Sequence, residues 1–115
     1  MIGKSHRFHG YNSLRPVYRQ GQTVRGPMLS LKFAPRDPRR PYRVAVVVSR
    51  KVHKSAVVRN RVRRRIYEII RRGDAVIEPG TDLVFTVFSD QLAELDAARL
   101  KKTVEQLLGK ASGNR

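Results

Sequence analysis

The chain has 115 residues, of which 25 are Lys or Arg and nine are Asp or Glu, giving a formal net charge of +16. That length suits one domain, expected to run over 1–115 with a basic arm at 1–12 and a flexible tail at 111–115. The absence of cysteine excludes a disulfide framework and thiolate metal sites, and no apolar run approaches the ~20 residues that span a bilayer as a helix.

The first residues, MIGKSHRFHG, contain no apolar stretch of the secretory kind, so the expected location is cytoplasmic. Residues 13–20 read as a short helix. Ser13 is its candidate N-cap, Pro16 lies in the first turn, Gly21 is the stop, and Leu14, Val17 and Tyr18 share one face. Residues 23–34 read as one strand interrupted by Gly26-Pro27, with Leu29, Leu31 and Phe33 on a buried face and Ser30, Lys32 and Ala34 on a wetter one. Residues 35–41, PRDPRRP, are loop. Residues 42–49 are β-branched and apolar at their centre, the pattern of a central strand covered on both faces.

Ser55 is placed to cap a helix over 56–72 that ends at Gly73. Val58, Val62, Ile66 and Ile69 make a narrow stripe along it, with Ile70 beside them and Arg59 and Arg65 at its flanks. Glu78-Pro79-Gly80 is a turn, 81–88 a further strand, and 96–108 a helix bearing Leu100, Val104, Leu107 and Leu108, ending at Gly109. Two strong strands joined through a helix are expected to be parallel neighbours. The whole reads as a small α/β sandwich, helices on a mixed sheet.

Charge is unevenly placed. Residues 1–72 hold 20 of the basic residues with only Asp37 and Glu68 as acids, while residues 73–115 hold five basic residues and seven acids. Within 49–72 stand Arg50, Lys51, Lys54, Arg59, Arg61, Arg63, Arg64, Arg65, Arg71 and Arg72, with Glu68 alone to offset them. A charge run is most often a solvated face. Here the acids for i,i+4 pairing are missing, which favours a polyanion as partner. Guanidinium forks match phosphate oxygens, and Asn60 adds a donor and an acceptor. A protein nuclease site needs paired carboxylates near the basic surface. With two acids before residue 73, no catalytic side chain and no protein metal site is assigned, and His6, His9 and His53 read as surface or RNA-contacting residues. Phe33, Phe85 and Phe88 are expected in the core; Tyr18 fits either a stacking role or the core; Phe8 and Tyr11 of the arm are candidates for touching RNA.

Residues 46–68, VVVSRKVHKSAVVRNRVRRRIYE, resemble the signature of the bacterial ribonuclease P protein component. The signature is a strand ending in Ser-Lys-Lys-like residues, a turn, and a helix bearing Arg-Asn-Arg. Residues 14–21 (LRPVYRQG), 79–88 and 93–108 (AELDAARLKKTVEQLL) extend the similarity over most of the chain. The resemblance implies a two-layer α+β sandwich of the ribosomal protein S5 domain 2-like kind, with a mixed sheet of about four strands, three helices and a left-handed βαβ crossover, although general handedness rules favour the other hand. It implies an endoribonuclease holoenzyme that removes the 5′ leader of precursor tRNA, with catalysis by an RNA subunit. Magnesium would be bound mainly through RNA, with no protein-only cofactor and one protein copy per RNA. It assigns RNA-subunit binding to Arg50, Lys51, Lys54, Arg59, Asn60, Arg61, Arg63, Arg64 and Arg65, and leader binding to Leu14, Arg15, Tyr18, Arg19 and Lys32. Leu14 falls where the family commonly has an aromatic, Lys32 where some members have one, and Leu108 near a late one, so charge from Arg15, Arg19 and Lys32 is expected to carry more of the leader contact. His53-Lys54 replaces the family's shorter glycine-containing turn.

Two other readings share the composition. A ribosomal or ribosome-associated RNA-binding protein fits the size and charge. A DNA-binding regulator needs a helix upstream of 56–72 for a helix-turn-helix, where the sequence reads as strand.

Overall fold

The computed structural model describes residues 6–8, 14–73 and 77–113. Helix α1 spans Arg15–Gln20, with Pro16 in its first turn and Leu14 at the N-cap making no side-chain cap bond; Ser13, the expected cap, lies outside the described residues. The Gly21 N–H closes α1 by donating to Val17 O at 2.8 Å. A β-carbon at Gly21 would lie 2.3 Å from that carbonyl oxygen and 2.9 Å from Lys32 Cγ, so glycine is what lets the helix end press onto the sheet.

The segment read as one interrupted strand is a hairpin. Strand β1 (Gln22–Arg25) and strand β2 (Leu29–Pro35) pair antiparallel, Val24 facing Leu31. Between them Gly26 N–H donates to Leu29 O at 2.9 Å. Pro27, with no N–H to give a ladder, sits in the reversal. After the 36–42 loop come β3 (Arg43–Val47), α2 (Ala56–Arg72), β4 (Thr81–Val87), a short 3-10 helix (Asp90–Ala93) and α3 (Ala97–Gly113). The sheet order is β1-β2-β4-β3. β3 and β4 run parallel, joined through α2 as the sequence predicts, while β2 and β4 are antiparallel.

The expectation of a central, doubly covered 42–49 strand is corrected. β3 is an edge strand whose burial alternates. β4 is the interior member of the parallel pair, with six of its seven residues buried. The edge is blunted from two sides: Val46 N–H donates to Tyr67 Oη of α2 at 3.1 Å, and Arg7 bridges Val44. Phe88 is also corrected. It lies one residue beyond β4 and is 52% exposed, not in the core. Gly80, at φ +76°, makes the turn into β4, a backbone shape that glycine adopts freely.

The two faces of the sheet differ. One carries Leu29, Leu31, Phe33, Val44, Val46, Leu83, Phe85 and Val87, packed against Val62, Ile66 and Ile70 of α2 and Leu100, Val104 and Leu107 of α3. Fully burying each such aliphatic side chain contributes about 1.5–3 kcal/mol. α3 begins after Asp96, whose Oδ2 accepts from Arg99 N–H. It runs past the expected stop at Gly109, because that glycine's missing side chain faces open space while Ala111 is buried in the core. The tail expected to be flexible from 111 is therefore helix as far as Gly113. The opposite face carries Ser30, Lys32, Ala34, Arg43, Ala45, Asp82, Val84 and Thr86, by strand alternation and register. Among the described residues α1 is the helix that packs there, against β2 and β4, with Val17 fully buried.

Candidate nucleic-acid interface

Two surfaces gather the residues singled out by the sequence. The first is α2 with the 49–55 loop before it. Ser55 caps the helix, its Oγ accepting from Val58 N–H at 3.4 Å. His53 Nδ1 accepts from Ser55 N–H at 3.0 Å, so His53 is part of the turn that leads into the helix. Arg59 Nη1 donates to the carbonyls of His53 (3.0 Å) and Lys54 (2.8 Å), tying the loop to the first turns of the helix. Arg50, Lys51, Lys54, Asn60, Arg61 and Arg64 are exposed. The first turn of α2 holds no acid, so the positive end of the helix dipole adds to these cations instead of being offset. An anion there relieves both.

Not every arginine is equally available. Arg65 donates to the carbonyls of Leu92 (2.7 Å) and Leu95, fastening the 3-10 helix and the turn before α3 to α2. Arg61 Nη1 lies 2.9 Å from Glu94 Oε1, both side chains half exposed or more. Arg63 is half-buried, and its buried Nη1 has no hydrogen-bond partner among the described residues. Arg71 and Arg72 share Glu68. The Arg71 bond, foremost, with Arg72 beside it, pulls the Glu68 carboxyl down to about 2, so it is ionised at any ordinary pH. Replacing Arg65 with alanine is expected to lower stability by about 2 kcal/mol, from two lost carbonyl bonds, while changing the salt dependence of RNA binding less than loss of exposed Arg64. Urea unfolding and salt titration of binding check the two halves separately.

The second surface is the face bearing α1. Arg15, Tyr18 and Arg19 are exposed and Leu14 is half-buried. Tyr18 is 42% exposed, which removes it from the core. Lys32 reaches across to it, Nζ lying 5.6 Å from the ring centroid and donating to Tyr18 O at 3.4 Å. At the far side of this face Asp82 is almost fully buried. It accepts from Arg36 Nε at 3.0 Å and from Arg43 Nε and Nη2 at 3.0 and 2.8 Å. Arg43 in turn lies 4.5 Å from the Phe8 ring centroid, and His6 stacks on Tyr42 at 4.0 Å. Sequence reasoning missed the Arg36–Asp82–Arg43 cluster. The available signal was one acid inside an otherwise apolar strand. Leu108 packs partly buried against the core. Among the described residues no three His, Asp or Glu side chains converge to hold a metal ion, and no helix is long and apolar enough to cross a membrane.

A basic helix and a cation-lined sheet face on a small α+β sandwich define a protein built for a structured polyanion. The ribonuclease P family model matches residues 2–112. The ribonuclease P protein component of Roseiflexus castenholzii is 37% identical over 108 residues, covering 94% of this chain and 87% of that one. That of a Picosynechococcus strain is 37% identical over 86 residues, covering 75% of this chain and 73% of the relative. The RNase P protein of Thermotoga maritima superposes with a TM-score of 0.78 at 25% identity, covering 90% of this chain and 96% of that one. The Staphylococcus aureus protein, at 19% identity, shares the fold with a TM-score of 0.81 over 94% and 96% of the two chains. The chain belongs to the ribonuclease P protein component family: it is the protein part of a tRNA-processing endoribonuclease.

Proposed function

We propose that α2 and the 49–55 loop bind the RNA component of ribonuclease P through its phosphates, and that the α1 face guides the single-stranded 5′ leader of precursor tRNA. The observation that carries this is the helix itself: exposed Arg61 and Arg64 with Asn60 between the flanking arginines, and no acid in the first turn. Such a surface repels itself until counter-charge arrives, and phosphates supply it with release of condensed ions. Magnesium belongs in this reading to RNA phosphates, and the protein residues make no bond to it. One protein copy serves one RNA.

The direct test is cleavage of precursor tRNA by a bacterial ribonuclease P RNA at low magnesium, with and without the protein. Stimulation by the protein is expected. No stimulation, or cleavage by the protein alone, overturns the reading. Tyr18→Ala is expected to weaken holoenzyme binding of leader-bearing tRNA by about 1–2 kcal/mol, the worth of a base stacked on a ring. Mature tRNA should be little affected. Equal losses on both substrates would place Tyr18 outside the leader path.

A further inference from the structure

We propose that Phe8 is a second stacking platform for single-stranded RNA on the α1 face, so that the leader is gripped between two rings, Tyr18 and Phe8. This deepens the leader-guiding role proposed above and rests on it. Phe8 is half-buried beside the edge strand β3, and its ring lies over the Arg43 guanidinium. That guanidinium does not swing freely, because two of its nitrogens are bonded to Asp82, whose side chain is 5% exposed. The neighbouring backbone is tied as well: Arg7 bridges Val44, and His6 stacks on Tyr42 and bonds its carbonyl oxygen at 2.9 Å. An aromatic fixed at both its backbone and its ring loses little entropy when a base stacks on it.

Alternation places Arg43, and hence Phe8, on the same side of the sheet as Lys32 and Tyr18. Tyr18 stands on α1, over β2 and β4, while Phe8 lies on the segment paired with the outer strand β3, so the two rings belong to different parts of the face and suit separate nucleotides. The charge around them selects the occupant. Arg15, Arg19, Lys32 and Arg43 border this face, and the acid carried by its strands, Asp82, is already committed to two guanidiniums. Rings with unmatched cations suit a strand that offers both bases and phosphates. A duplex hides its bases and gains only the charge.

The chain has no tryptophan, so Phe8→Trp and Tyr18→Trp each install a single reporter whose emission falls when a base stacks on it. Titration with a short single-stranded oligoribonucleotide is expected to quench both, and a duplex of the same length is expected to quench neither. In the holoenzyme, Phe8→Leu keeps an apolar side chain but removes the ring; it is expected to raise Kd for leader-bearing precursor tRNA about fivefold and leave Kd for leaderless tRNA unchanged, with Phe8→Trp restoring tight binding. Quenching in the Tyr18→Trp variant without quenching in the Phe8→Trp variant overturns the Phe8 inference and leaves the leader-guiding role standing. Equal quenching of the Phe8→Trp variant by duplex does the same. If neither variant responds, both readings fall.

Discussion

Replacing Arg61 and Arg64 together with alanine is expected to weaken binding of the ribonuclease P RNA by about 2 kcal/mol, roughly thirtyfold, and to flatten the dependence of log affinity on log salt by about two. These two are chosen because they are exposed on α2 and their loss leaves the scaffold intact. Arg61 gives up only a surface pair with Glu94, an interaction of small worth in water. Arg59 and Arg65 make a poorer test, since each holds protein carbonyls and its loss mixes folding with binding. The slope is the sharper readout. A general loss of stability lowers affinity at every salt concentration alike, whereas removal of two phosphate contacts changes how many counterions are released. Filter binding at four or five salt concentrations measures it. An unchanged slope would move the RNA contact off this helix.

How much of this fold shows in the sequence follows from the range of the interactions that set it. Helix α2 is legible in its cap (Ser55) and its stop (Gly73), which are set by neighbours within a turn or two; its stripe is read one residue off at the end, since Ile70, placed beside the stripe, is buried with Val62 and Ile66 while Val58 and Ile69 are only partly buried. The parallel pairing of β3 and β4 was also legible, because a helix between two strands leaves few alternatives. What the sequence hid was position within the sheet. Val44, Val46 and Val48 report burial on one side, and a run of intervening apolar residues does not reveal that no strand lies beyond. Gly109 misled for a similar reason. A glycine stops a helix only if nothing further gains from continuing, and Ala111 does gain. At the candidate interface the sequence displayed charge without partners. Arg65 meets carbonyls about thirty residues away along the chain, Arg61 meets Glu94, and Asp82 meets Arg36 and Arg43 across the sheet. None of those pairings has a local signature, so the split between scaffold arginines and available ones is set by the tertiary fold.

The cluster that sequence reasoning missed carries the largest expected loss of stability. Asp82→Ala is expected to destabilise the fold by about 3 kcal/mol, within the range for breaking a buried ion pair by removing one partner. The carboxylate is 5% exposed and accepts three guanidinium hydrogen bonds, while the Arg36 and Arg43 side chains are themselves only 26% and 21% exposed. Without the carboxylate, two cations face each other in a partly dehydrated pocket, on a chain already carrying a large excess of positive charge. Urea unfolding should show a lower midpoint with an unchanged m-value. Asp82→Asn should fall between, since it keeps the shape and one acceptor oxygen but loses the charge. The cost should shrink when Arg36 and Arg43 are also replaced by leucine, because the penalty lies in the stranded guanidiniums more than in the lost bonds. Asp37, in an exposed pair with Arg39, is the contrasting site, where alanine should change the midpoint little. Equal effects at the two aspartates would show that water reaches Asp82 freely, and the rigid seat for Arg43 and Phe8 would go with it.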